Sequence, residues 1–127
     1  MANPVNNIYK TKISYQAKFL YIDVLDTKLN IVNNFDNLNE IYIAIRPEHI
    51  YLEEKQNSLK VSGKLEIIEN LGHEKILCIR TLKSKQLFYL RVSTEYKVYV
   101  GENINIYIDE NKLLFFHPIN EHLIERH

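Results

Sequence analysis

Along most of this chain apolar and polar residues take turns one by one, the period of a strand with one face toward a core. Ile13, Tyr15, Ala17 and Phe19 alternate with Ser14, Gln16 and Lys18, which predicts a strand with those four on its inner face. Ile41, Ile43 and Ile45 repeat the pattern, as do Val61, Leu65 and Ile67 around Gly63. Phe88, Leu90 and Val92 form a further set, and Ile104, Ile106 and Ile108 another. Strands also fit residues 29–32, 75–80 and 113–116. No segment of helical length carries a sustained apolar stripe at three-four spacing, so the expected fold class is all-β.

The punctuation between these runs predicts short strands. Residues 35–40 and 53–58 read as loops, and residues 109–112, between two apolar runs, read as a tight hairpin turn. Pro47 holds Arg46 extended and closes its strand, after which Pro47-Glu48-His49 starts one helical turn. Residues 93–97 read as a second short helical turn, capped by Ser93 or Thr94. Gly63 inside an alternating run suggests a bulge or a barrel bend, and Gly72 a positive-φ turn or a close backbone approach between strands. Short antiparallel strands in this number favour a small closed barrel, because closure removes exposed edges. The tail, residues 120–127, reads as a short helix or a frayed end.

Composition narrows the partners. The 127 residues are 46% hydrophobic, enough for one domain with a core and too apolar for disorder. Sixteen basic residues balance sixteen acidic ones, so there is no global field to collect polyanions, and nucleic acid is not an expected partner. Nine tyrosines and five phenylalanines keep a single-stranded nucleic-acid reading open, with Lys83, Lys85, Phe88, Tyr89 and Arg91 as the natural patch. Against it, tyrosine commonly fills half-buried strand positions. Cys78, the only cysteine, lies in the run Ile76-Leu77-Cys78-Ile79 and is expected to be a buried, inert thiol. The start lacks the apolar core of a signal peptide, and no run approaches the roughly 20 apolar residues of a membrane span. A cytoplasmic location is the expectation.

Catalytic chemistry finds no foothold. Only Gly63, Gly72 and Gly101 occur, and no pair has the spacing of a phosphate-cradling loop, so ATP binding by this chain is not expected. The histidines His49, His73, His117, His122 and His127 form no metal-ligand motif, and neither cofactor nor metal is expected. Carboxylates are plentiful, but nothing in the sequence brings two together for acid–base work, and no serine sits in a nucleophile elbow.

Several blocks recur in a telling order: Ile45-Arg46-Pro47-Glu48-His49-Ile50-Tyr51-Leu52, then Val61-Ser62-Gly63-Lys64-Leu65, then Glu69-Asn70-Leu71-Gly72-His73-Glu74, then Val100-Gly101-Glu102. Residues 104–109 and 113–116 complete the succession with a strand, a turn after Asp109 and a final aromatic strand. In this order they resemble the regulatory domain that follows the ATPase domain in ATP-binding subunits of carbohydrate-type ABC importers, the transport-associated OB (TOBE) domain. The resemblance runs from about residue 13 to residue 116 and is strongest over residues 41–74.

The resemblance implies a single OB-fold-like barrel over residues 1–127 with one or two short helical turns, cut from a longer subunit. Residues 6–32 would be the segment leaving the ATPase domain. It implies a non-catalytic regulatory and dimerisation module, peripheral to the inner face of the membrane. Its partners would be a second copy of the ATP-binding subunit as a homodimer, its own upstream ATPase domain, and a regulatory protein or small ligand, with the permease touched only indirectly. Arg46, Pro47, Glu48, Gly63, Glu69, Gly72, Glu74, Gly101 and Asp109 are its motif positions, with structural roles. Arg46 is expected to pair with a carboxylate such as Glu48 or Glu69. A sister group uses a similar barrel to bind molybdate or tungstate through hydroxyls, backbone N–H groups and Lys or Arg. The compact Thr-Ser-Ala-Arg-Asn-like block of that group is absent here, which makes oxyanion binding the alternative reading.

Overall fold

Two long strands organise the molecule, each changing partner partway along its length. The computed structural model describes residues 7–30, 35 and 38–124. Strand β1 (Asn7–Gln16) pairs through residues 7–12 with β4 (Glu40–Ile45) and through residues 13–16 with β2 (Phe19–Ile22). Strand β6 (Ser58–Asn70) pairs along its first half with β9 (Asn103–Asp109) and along its second with β7 (Glu74–Thr81). Adding β3 (Thr27–Asn30), β5 (Ile50–Tyr51), β8 (Leu87–Ser93), β10 (Leu114–Phe116) and β11 (Leu123–Ile124) gives two antiparallel sheets. Their orders are β11-β10-β4-β1-β2-β3 and β5-β9-β6-β7-β8. In the second sheet β8 comes back against β5, so the sheet curls into a nearly closed barrel. This is an all-β, OB-like architecture, and its only helical elements among the described residues are three 3-10 turns: Asp23–Leu25, Pro47–His49 and Glu110–Lys112.

The core follows from the alternation. Leu20, Ile22, Leu29, Ile41, Ile43, Leu65, Leu77, Ile79, Phe88, Leu90, Ile106, Ile108 and Phe115 are completely buried in one cluster fed by both sheets. Each side chain of this size contributes roughly 1.5–3 kcal/mol on burial. Phe35, expected only as a loop residue, drops into the same cluster, its ring edge-on to Phe115 at 5.4 Å. Cys78 is buried as expected, and burial, with Glu69 and Glu66 nearby, raises its thiol pKa.

The structure departs from the sequence reading at defined points. Residues 13–19 are not one strand. Ala17 takes a left-handed φ of 56°, the chain reverses, and Tyr15 and Phe19 end up exposed while Leu20 turns inward. The irregularity in β6 falls between Leu65 and Ile67 rather than at Gly63, so Glu66 is the extra residue and Ile67 is flipped outward. Residues 109–112 make no hairpin: Asp109 caps a 3-10 turn that carries the chain from β9 in one sheet to β10 in the other. Residues 93–97 form a hydrogen-bonded turn with no helix, Tyr96 N–H donating to Ser93 O at 3.1 Å. Of the tail, read as a short helix or a frayed end, Leu123 and Ile124 form strand β11, and residues 125–127 lie outside the described residues. The strand expected at residues 29–32 is β3, with Ile31 and Val32 outside the described residues.

Side chains stitch the sheets together. The Asn7 amide behaves like a strand partner: its Nδ2 donates to Tyr89 O at 2.8 Å and its Oδ1 accepts from Tyr89 N–H at 2.7 Å. The Tyr9 hydroxyl donates to Leu87 O, and its ring packs on Phe88 with centroids 4.8 Å apart. Burial, with Tyr89 and Cys78 adding to it, pushes the Tyr9 phenol well above its usual pKa, so it remains a donor.

Candidate functional site

The motif positions spread over the scaffold instead of converging. Gly63 sits where β6 has neighbours on both edges, and a Cβ there would lie 2.5 Å from Ile79 Cγ2. Gly101, at φ 93°, donates its N–H to Leu65 O at 2.7 Å, and Leu65 N–H donates to Glu102 O at 2.9 Å, so this turn pins β6 at its bulge. Gly72 supplies the positive φ of the β6–β7 hairpin, its N–H bound by Asn70 Oδ1 at 2.9 Å. Glu69 is exposed on the same hairpin. Glu74 accepts two hydrogen bonds from Arg91, from Nε at 3.1 Å and from Nη2. Arg46 lies 4.0 Å from Glu48, on the exposed surface, and the pairing with Glu69 does not occur. Pro47 is buried, and Asp109 Oδ1 accepts from Asn111 N–H at 3.0 Å. Of these positions, Arg46 lines a cavity between the two turns that follow β4 and β9.

The basic–aromatic patch that a nucleic-acid reading would need does not form, because Phe88 is completely buried and Arg91 is engaged with Glu74. Among the described residues, no three His, Cys, Asp or Glu side chains come together as a metal site. No helix among them is long and apolar enough to cross a membrane.

What the sheets do build is a polar cavity of about 450 Å³ on their seam, at the point where β1 exchanges β4 for β2. Lys10, Thr11 and Lys12 come from β1, Asp23 and Asp26 from the turn after β2, and Lys83, Ser84 and Gln86 from the β7–β8 loop. Thr11 is buried, with its hydroxyl accepting from Val24 N–H at 3.0 Å and donating to Lys12 O at 3.1 Å. Across the seam, Asp26 adopts a left-handed φ of 56° and sends its carboxylate to the loop. One oxygen, Oδ2, accepts from the consecutive N–H groups of Lys83 at 3.1 Å and Ser84 at 3.3 Å. The Ser84 hydroxyl donates to Val24 O at 3.0 Å and lies 2.5 Å from the Thr81 hydroxyl. Two adjacent backbone N–H groups on one anionic oxygen are the geometry of an anion-binding nest, and here an internal carboxylate fills it. Burial raises the Tyr21 phenol on the cavity wall, with Asp26 and Asp23 adding to the shift.

The lining carries three ammonium groups against two carboxylates, so a small anion meets a locally favourable field. Lys10 is also 3.8 Å from Glu40, an exposed pair of little energetic weight. The sequence reading missed this site. Its signal was the hydroxyl residue flanked by lysines in Lys10-Thr11-Lys12 and Lys83-Ser84-Lys85, two segments that only sheet packing unites.

The sequence matches the model of one protein family, described as the TOBE domain, over residues 43–116, more than half of the chain. The chain belongs to the TOBE domain family. No curated protein sequence matches it. Among solved structures, this TOBE domain is similar to the cytoplasmic molybdate-binding protein ModG in a form with molybdate bound. The TM-score is 0.65 at 14% identity, over 93% of this chain and 100% of that one. At that identity the likeness shows the fold. The matched stretch holds every motif position and the loop side of the seam cavity, while Lys10–Asp26 lies outside it.

Proposed function

We propose that this TOBE domain binds a small tetrahedral oxyanion of the molybdate, tungstate or sulfate type at the seam, as a regulatory or sensing module without chemistry of its own. The observation that carries the reading is the pair of consecutive N–H groups at Lys83 and Ser84, already engaged with a carboxylate oxygen. An incoming dianion takes the place of Asp26 on those donors, and Lys10, Lys12 and Lys83 supply its countercharge. Because the donors sit on the β7–β8 loop of one sheet and the displaced carboxylate on the β2–β3 turn of the other, occupancy alters how the two sheets are held together. The fold shared with a molybdate-binding protein supports the reading.

A thermal-shift panel of molybdate, tungstate, sulfate and phosphate against chloride at equal ionic strength tests it. A ligand at 100 times its Kd stabilises the fold by about 2.7 kcal/mol. Asp26→Asn, which removes the internal competitor at a left-handed position that Asn tolerates, is expected to tighten binding. Lys83→Gln is expected to weaken it about tenfold. Oxyanion shifts no larger than those with chloride contradict the proposal.

A second reading is favoured by the ordered blocks from Ile45 to Phe116, which coincide with the family match. In it the domain is the regulatory and dimerisation module of a carbohydrate-type ABC importer, and its partner is a second copy of the ATP-binding subunit. Absence of oxyanion binding, together with concentration-dependent dimerisation in sedimentation, would favour this reading over the first.

A further inference from the structure

Two crossovers carry the chain between the sheets, residues 46–49 after β4 and residues 110–112 after β9. Both line a second cavity, of about 340 Å³, whose remaining wall is the outward face of the six-stranded sheet. Its floor is a cross-strand row. Ile8, Ala44 and Leu114 stand in register on β1, β4 and β10, with Phe116 beside them. Ile8 is 59% exposed and Leu114 41%, large apolar side chains that the core does not use. The rim is cationic, formed by Arg46 and Lys112. Arg46 meets Glu48 only at 4.0 Å, with both side chains half or more exposed, so its planar donor fork is not held in a bidentate pair. Neither Glu48 nor Asp109 lines the cavity, and the Asp109 carboxylate is taken by the Asn111 N–H.

An apolar floor beneath two cations, in a volume within the roughly 300–1,000 Å³ of small-molecule pockets, selects for a particular chemistry. An inorganic oxyanion gains nothing from Ile8 and Leu114. A neutral apolar molecule leaves the guanidinium and the ammonium without partners. We propose that this cavity is a second ligand site, for a small organic monoanion: a carboxylate on an acyl or aryl body. The carboxylate lies between Arg46 and Lys112, and the apolar body covers Ile8, Ala44, Leu114 and Phe116. The site also gives the Arg46 and Asp109 motif positions a shared purpose, because their two turns frame it. It has no residue in common with the seam cavity, so either site can fail without the other.

Calorimetric titration of the full chain with octanoate and with 4-phenylbutyrate tests the proposal, with 4-phenylbutanamide as the uncharged control. The expected result is saturable one-to-one binding of the acids, at least tenfold weaker for the amide. The double variant Arg46→Gln with Lys112→Gln loses at least tenfold in affinity for the acids, and Leu114→Asp loses binding altogether. All three side chains are exposed, and an unchanged melting temperature confirms that each variant is folded. If Leu114→Asp does not fold, the Arg46/Lys112 pair decides alone. No saturable binding of either acid, equal binding of the amide, or undiminished binding by the double variant overturns the proposal.

Discussion

Gly63 shows how tightly single residues are specified. An added Cβ would meet Ile79 Cγ2 at 2.5 Å and the Arg80 carbonyl oxygen at 2.7 Å, and the second of these is backbone. A side-chain methyl can rotate away, but the Arg80 carbonyl belongs to the β6–β7 ladder and cannot move without breaking pairing. Gly63→Ala is therefore expected to destabilise the fold by about 1–3 kcal/mol, as overpacked cores do. The readout is a lower urea midpoint with an unchanged slope. The sequence marked Gly63 as special and offered a bulge or a barrel bend as the reason, and the bulge lies instead between Leu65 and Ile67. What the structure adds is close approach, which depends on a neighbour strand that no local pattern names. Gly72 was legible as a glycine with a backbone purpose, and of the two uses open to it the structure shows the positive-φ turn, with open space where a Cβ would stand. Asp26 was not legible, since its left-handed φ and its carboxylate's partners belong to tertiary structure.

At the scale of elements, alternation located the longer strands from β4 to β10, missed β5, β11 and the first half of β1, and misjudged where strands turn or change sheet. The Ile13–Phe19 pattern continues through a hairpin because Ala17 offers no turn signal, although its backbone makes one. Ile67 fits the inner-face pattern until Glu66 is inserted, and from there the period runs one residue out of step. The turn at residues 110–112 reads like a hairpin connection because sequence shows neighbours in the chain, not neighbours in a sheet. The contact of β1 with β8 was equally hidden, and it rests on Asn7, a buried polar side chain standing in for backbone. Asn7→Ala leaves the Tyr89 N–H and carbonyl without their partners. Equilibrium urea unfolding is expected to show a loss of about 1–3 kcal/mol. A loss within experimental error would mean that Asn7 adds nothing to the hold that core packing, Tyr9 and Asp26 already give the two sheets.

On the scale of the whole molecule, two sheets share one core, and cavities open at their seam and beside their crossovers. The all-β barrel character was readable from periodicity, and the TOBE family from the order of its motif blocks. The seam cavity was not, because Lys10-Thr11-Lys12 and Lys83-Ser84 are far apart in sequence and alike unremarkable within it. The proposed function rests on the assembly of sheets: a loop of one provides N–H donors, and a turn of the other provides the internal anion that an oxyanion would displace. The most direct measurement is an amide-resolved NMR titration with molybdate at constant ionic strength, in the native chain and in Asp26→Asn. The account predicts that the Lys83 and Ser84 amide protons shift together and saturate, at lower molybdate concentration in the variant. Unmoved amides at those two residues, or shifts scattered without saturation over the surface lysines, would contradict it.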